Sequence, residues 1–121
     1  LPQSQKGKFR YKGKTRLERK RLLADAITLQ KNGVFSIVLE CIETSLSKKI
    51  TKELKIPTIG IGSSVNCDGQ VLVTDDLIGL NPTSIKFVKS FYNIRKHIEL
   101  AIKKFRHDVK NKKYPSSKFS Y

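Results

Sequence analysis

Two short apolar runs, Phe35-Ser36-Ile37-Val38-Leu39-Glu40 and Ile56-Pro57-Thr58-Ile59-Gly60-Ile61-Gly62, bracket a segment with helical periodicity, and this order constrains the fold more than any other feature. Phe35 to Cys41 reads as a strand, and its continuous apolar character, broken only by Ser36, suits burial on both faces. Between the runs, Leu46, Ile50 and Leu54 recur every four residues as on one helix face, with Thr44 or Ser45 available as the cap. Pro57 opens the second strand, where its missing N–H is tolerated. Strand, helix and strand in so short a stretch form a βαβ unit, which favours a parallel pair with a right-handed crossover. A third strand is expected from Gln70 to Thr74, but the connection after Gly62 is shorter than a full crossover normally needs, so its direction stays open.

Upstream, residues 1–14 are basic, aperiodic and glycine-containing, and read as a loop. Thr15-Arg16-Leu17-Glu18 fits a capping box, in which the Thr15 hydroxyl accepts from the Glu18 N–H while Glu18 reaches back. The helix that follows should run to about Lys31, with Leu22, Ala26 and Leu29 on one face and Gly33 as its stop. Downstream, Asn81-Pro82 marks a loop and Ile85 to Phe91 looks helical. Ile94, Ile98, Ile102, Phe105 and Val109 then make the face of a long amphipathic helix, followed by a basic tail from Lys110. The chain of 121 residues has room for one domain: a loop over 1–14, an α/β body over 15–109 and a basic tail over 110–121.

The formal net charge of +15 is concentrated at the ends, with nine basic residues in 1–23 and eleven in 86–121. Seven of the ten acids lie between, in 24–85. Such a split can mark a non-catalytic protein that binds nucleic acid or an acidic partner. Against this, lysine outnumbers arginine about three to one, and base and phosphate recognition favours arginine's planar fork. No stretch is long and apolar enough to span a membrane or to serve as a signal peptide, so a cytoplasmic location is expected. Leu1, where a Met would start a complete chain, suggests a sequence that begins inside a longer ancestral one.

Glu40 is the main candidate for chemistry. A carboxylate at the mouth of an apolar strand is partly desolvated, which suits it to remove a proton next to a carbonyl. The same residue could equally point into water or pair with a lysine. Gly60 and Gly62 could let a backbone approach an anion, but without a following helix they read better as tight packing at a strand end. Asp68, Asp75 and Asp76 are oxygen donors of the kind magnesium takes, yet Asp68-Gly69 is also an ordinary turn signal. Cys41 and Cys67 have no CxxC spacing, and His97 and His107 lie together on the C-terminal helical segment, so no Cys/His metal cluster is indicated.

Taken jointly, several segments resemble the ketopantoate hydroxymethyltransferase (3-methyl-2-oxobutanoate hydroxymethyltransferase) family in order and spacing. Leu1-Pro2-Gln3-Ser4 is similar to the loop after the family's fifth strand, and Gly13-Lys14-Thr15 with Leu22-Leu23-Ala24-Asp25-Ala26 to the helix that follows. Val38-Leu39-Glu40 resembles the sixth strand and Ile56 to Gly62 the seventh. Asp68-Gly69-Gln70-Val71-Leu72-Val73, Lys86-Phe87-Val88-Lys89 and Tyr114-Pro115-Ser116-Ser117 also fit. Glu43 stands where the family usually has a Pro, Ser64 where its glycine-rich turn continues, and Asp75 where a His is typical.

The resemblance implies a partial (βα)8 barrel, about the last three strands of eight with their helices. It implies a transferase of pantothenate biosynthesis that adds a hydroxymethyl group from 5,10-methylenetetrahydrofolate to 3-methyl-2-oxobutanoate, giving 2-dehydropantoate. In that family Mg²⁺ chelates the ketoacid and stabilises its enolate. The glutamate on the sixth strand, matched by Glu40, removes the proton. The family's metal-binding aspartates belong to its N-terminal half, so no metal ligand is assigned in this chain. The expected partners are the ketoacid and folate, further copies in a homo-oligomer, and a chain that supplies the remaining strands to the open sheet edges.

Overall fold

Thr15 starts the first helix as the sequence predicts: its hydroxyl accepts from the Glu18 N–H at 3.2 Å. The reciprocal half of the box falls one residue earlier, because the Glu18 carboxylate accepts from the Lys14 N–H at 3.0 Å and pairs with Arg10 at 3.2 Å. In the computed structural model, which describes residues 10–82 and 85–121, this helix (α1) spans Arg16–Lys31. Asn32 caps it, and Gly33 then takes a positive φ of 85°, a conformation that glycine adopts without a Cβ clash. Ala26 is buried, with Leu22, Leu23 and Ile27 packed beside it. Leu29, expected on this face, is instead half exposed. The packed stripe therefore lies to the other side of Ala26.

The segment that reads as a βαβ unit forms one. Strand β1 (Ile37–Glu40) leads through helix α2 (Thr44–Glu53) to strand β2 (Thr58–Ile61). The two strands are parallel, with Ile37 opposite Thr58 and Glu40 opposite Ile61. The third strand is shorter than predicted: β3 is Gly69–Gln70, paired to β2 with Ile59 opposite Gly69. It is also parallel, which fixes the direction that pattern left open, and the sheet order is β1-β2-β3. Residues 71–73, expected to continue β3, have no ladder partners beyond the Val71 N–H, which donates to Gly60 at 3.0 Å.

The core forms where α1 and α2 meet one face of this sheet. Leu46 and Ile50 are 1% exposed and Leu54 is 8% exposed, so the four-residue repeat read from the sequence is the buried stripe of α2. Ala26, Leu39 and Cys67 complete the cluster. Burial on both faces of β1 is not observed. Leu39 is buried, but its neighbour Val38 is 58% exposed, because the described helices of the first unit cover only one side of the sheet. Phe35, placed in the strand by pattern, lies before it and is exposed.

The chain divides into two units, residues 1–72 and 73–121. In the second, a four-residue helix α3 (Thr74–Leu77) begins at Thr74, which the sequence predicts as the last residue of the third strand. Val73 precedes it with extended backbone and Thr74 supplies the first turn. The helix expected over 85–91 is not formed: the backbone there includes a turn closed by the Val88 N–H on the Ile85 carbonyl, and the Phe91 N–H donates to the Leu77 carbonyl instead of to a preceding helical turn. Helix α4 (Ile94–Lys110) matches the amphipathic pattern and is capped by the Asn93 side chain, which accepts from the Lys96 N–H at 3.1 Å. None of its residues is buried. Past α4, Tyr114 packs edge-on against Phe105, with ring centroids 5.5 Å apart. The described part of the tail ends in a 3₁₀ turn, Ser117–Phe119. The predicted loop over 1–14 is described only from Arg10, and the Leu1-Pro2-Gln3-Ser4 segment lies outside the described residues.

Shaving the buried stripe of α2 should test this packing directly. Ile50→Ala is expected to destabilise the fold by about 2–5 kcal/mol in urea unfolding, the range for emptying a buried aliphatic position, whereas Leu17→Ala, at a position 79% exposed, should change stability little.

Candidate active site at the carboxyl ends of the strands

Parallel pairing places the C-terminal ends of β1 and β2 side by side, and Glu40 is the last paired residue of β1. Side chains alternate along a strand. Buried Leu39 points to the helices, so Glu40 and exposed Val38 belong to the uncovered face. Ile59 and Ile61, their partners in register, share that face. The sequence-predicted carboxylate thus stands at the end of a parallel strand, half buried, above an apolar surface.

The backbone changes course just beyond it. Cys41 has a positive φ of 52°, uncommon for a residue with a Cβ. Its N–H continues the ladder to the Ile61 carbonyl at 2.9 Å, while its own carbonyl accepts from the Lys12 N–H at 2.8 Å. The Cys41 thiol is buried and its pKa is pushed up, by burial first and then by the negative charge of Glu40. Cys41 and Cys67 are both free thiols.

Helix α2 is not capped by Thr44 or Ser45. The cap is Glu43, one residue earlier, whose carboxylate accepts from the Ser45 N–H at 3.1 Å and the Leu46 N–H at 3.0 Å. It also accepts from the Ser45 hydroxyl at 2.7 Å and forms an ion pair with Arg19 of α1. These donors, the Ser45 hydroxyl and N–H foremost and Arg19 after them, hold the Glu43 carboxyl down to about 2. Sequence reading missed this role because glutamate is not a favoured cap. The only available signal was an acid immediately before a helix start, where the helix dipole favours negative charge.

The other candidates have structural partners. A Cβ on Gly60 would lie 2.8 Å from the Gln70 side chain and 3.1 Å from the Cys67 Sγ, so close packing explains this glycine, as the sequence suggested. Gly62 turns the chain with a φ of 60°. The Asp68 carboxylate accepts from the Thr58 N–H at 2.8 Å and the Thr58 hydroxyl at 3.0 Å, and these bonds lower its pKa. Ser64 is buried and accepts from the Asn66 N–H at 3.2 Å. In the second unit, Asp76 is buried and accepts from the Asn81 amide at 2.7 Å, while the Asp75 carbonyl accepts from the Leu80 N–H at 2.8 Å. His97 stacks on Tyr92, and His107 lies beside the Asn111 amide at 3.2 Å. Among the described residues, no three His, Cys, Asp or Glu side chains gather in a group that could hold a metal ion. No helix among them is long and apolar enough to cross a membrane.

Known proteins carry similar sequences. A family model described as ketopantoate hydroxymethyltransferase matches residues 1–117. A 3-methyl-2-oxobutanoate hydroxymethyltransferase from Pelagibacter ubique is 59% identical over all 121 residues, which cover 47% of that relative. Proteins of the same name from Kosmotoga olearia and Maricaulis maris are 48% and 40% identical over 90% and 95% of this chain, covering 41% of each. The chain spans less than half the length of these curated relatives.

The depressed pKa of Glu43 gives a pH signature. A carboxyl held below its unfolded value stabilises the fold fully above that value and loses the contribution as pH falls through the folded one. Glu43→Ala should cost about 1 kcal/mol near neutral pH, the usual size of a lost side-chain cap. The gap from wild type should narrow as pH falls from about 4.5 to about 2, as read from urea unfolding across that range.

Proposed function

The chain belongs to the ketopantoate hydroxymethyltransferase family, and from that premise we propose that it forms the catalytic-base sector of a one-carbon transferase. The supporting observation is the placement of Glu40 as the last residue of a parallel strand, on the face away from the helices. In barrel enzymes that end of the strands carries the chemistry. On this reading the three parallel strands are consecutive staves of a (βα)8 barrel, and residues 1–121 are a sector of one domain. The uncovered face of β1 and β2 is then the barrel interior. The exposed edges of β1 and β3 pair with strands from the rest of the barrel, on the same or another chain, and further copies build a homo-oligomer.

The proposed substrate is 3-methyl-2-oxobutanoate. Glu40 accepts the proton from the carbon next to the ketone, and the electron pair left behind forms the enolate. That carbon then bonds to the one-carbon unit of 5,10-methylenetetrahydrofolate as both bonds of that unit to the folate nitrogens break; water supplies the hydroxyl oxygen and the balancing protons, tetrahydrofolate leaves, and 2-dehydropantoate is the product. Val38, Ile59 and Ile61 lie on the same face as the Glu40 carboxylate and give it an apolar surround.

The described residues do not fit a magnesium site. Asp68 and Asp76 spend carboxylate oxygens on Thr58 and Asn81, and no ligand cluster stands near Glu40. Within this chain proton removal therefore rests on Glu40, and the groups that hold the metal and the ketoacid's carboxylate are proposed to lie in the portion of the relatives that this chain does not span.

Turnover tests the assignment. With ketoacid and methylene-folate supplied to the protein that carries this chain, Glu40→Gln should lower kcat by about 10²–10⁴-fold, the usual worth of a general base. Product formation at the wild-type rate would exclude Glu40 as the proton acceptor.

A further inference from the structure

We propose that Cys41 is a positioning residue for Glu40: its left-handed backbone locks the end of β1, so that the preceding carboxylate keeps one direction at the strand mouth. The inference rests on the reading of Glu40 as proton acceptor and adds a device that holds it. In a regular parallel strand, a residue's N–H and C=O bond to the same neighbour. Cys41 breaks this pattern. With φ at 52°, its N–H, in the peptide that follows Glu40, addresses Ile61 on β2 while its carbonyl, in the next peptide, addresses Lys12, so the two peptides flanking Cys41 are held by different segments.

Backbone held in this region is costly and persists only where the surroundings over-determine it, and such positions cluster at functional sites. Here the surroundings are identifiable. Lys12 makes a parallel bridge to Ile42, closed by the Glu43 N–H on the Lys12 carbonyl at 2.8 Å. Gly13, at φ 87°, passes so close to α2 that a Cβ there would lie 2.6 Å from the Leu46 Cδ2. Arg19 donates to the Gly13 carbonyl at 3.4 Å and to the Ser45 hydroxyl at 2.9 Å, and it pairs with Glu43. These contacts pin residues 12–13 as a strut between α1 and the N-terminus of α2, and the strut fixes the carbonyl of Cys41. Cys41 itself is 4% exposed, so the turn is buried as well as hydrogen-bonded. Burial raises its thiol pKa, so the thiol is kept protonated and its part is geometric.

A base that removes a proton from carbon must sit within hydrogen-bond reach of it. A misplacement of about 1 Å costs on the order of a hundredfold in rate. The strut and the left-handed turn together would supply that precision.

The test compares substitutions that differ in backbone freedom, with kcat and KM for the ketoacid measured on the protein that carries this chain. Cys41→Val, which keeps an apolar side chain but is β-branched and disfavours positive φ, should lower kcat about a hundredfold with KM nearly unchanged, the signature of an interaction made in the transition state. Cys41→Gly, which adopts positive φ freely, should retain kcat within about threefold of wild type. Arg19→Met leaves the strand untouched and should lower kcat by roughly tenfold, equivalent to about 1.4 kcal/mol, again without raising KM. Should circular dichroism show Cys41→Val unfolded, the Arg19→Met result decides. Wild-type kcat in folded Cys41→Val or in Arg19→Met, or equal losses in Cys41→Gly and Cys41→Val, would overturn the proposal. An active Glu40→Gln would instead sink the underlying assignment of the base, whereas an inactive Glu40→Gln beside a fully active Cys41→Val would sink the positioning role alone.

Discussion

The register between β1 and β2 is the constraint from which the rest of the first unit follows. A one-residue slip would exchange the two faces of the strand, sending Leu39 out and Glu40 into the helix layer. The crossover helix prevents this. Its stripe of Leu46, Ile50 and Leu54 can be buried only while Leu39 faces it, and the Thr51 and Thr58 hydroxyls, 2.8 Å apart, tie α2 to the start of β2. Asp68 grips the same Thr58 from the far side, which sets β3 beside β2. Apolar burial thus selects the face, and polar contacts select the position along it.

The consequence is a sheet with two unlike sides. The helix-facing side is a packed core. The other carries Val38, Ile59, Ile61 and the Glu40 carboxylate, and no described helix of the first unit covers it. An apolar surface that ends in one charged group is costly to leave in water. Helix α4 presents the same question in the second unit, with Ile98, Ile102, Phe105 and Val109 all at least two-fifths exposed.

Periodic burial was the legible part of the sequence. The βαβ order, the α2 stripe, the Thr15 cap, the Gly33 stop and the span of α4 all follow from spacing, because each repeats a physical requirement along several residues. Single-residue events were less legible. Glu43 displaced Thr44 as the α2 cap because a long acidic side chain could reach two N–H groups and Arg19 together, and Arg19 is far away in sequence. The positive φ at Cys41 has no local cue, since it comes from bonds to Ile61 and Lys12. Around 70–91 the apolar residues suggested a longer strand and a helix. The chain uses them instead in a two-residue strand, a single turn of helix and irregular backbone, such as the Phe91 N–H bond to the Leu77 carbonyl. The position of Glu40 was readable from pattern, while its proposed role came from resemblance across the whole chain.

The most direct measurement is exchange of the proton next to the ketone of 3-methyl-2-oxobutanoate with solvent deuterium, followed by NMR without any folate donor. This isolates proton removal from one-carbon transfer. The protein that carries this chain should catalyse the exchange, and replacing Glu40 by Gln should stop it while the parallel strands stay folded. Undiminished exchange after that replacement would contradict the account.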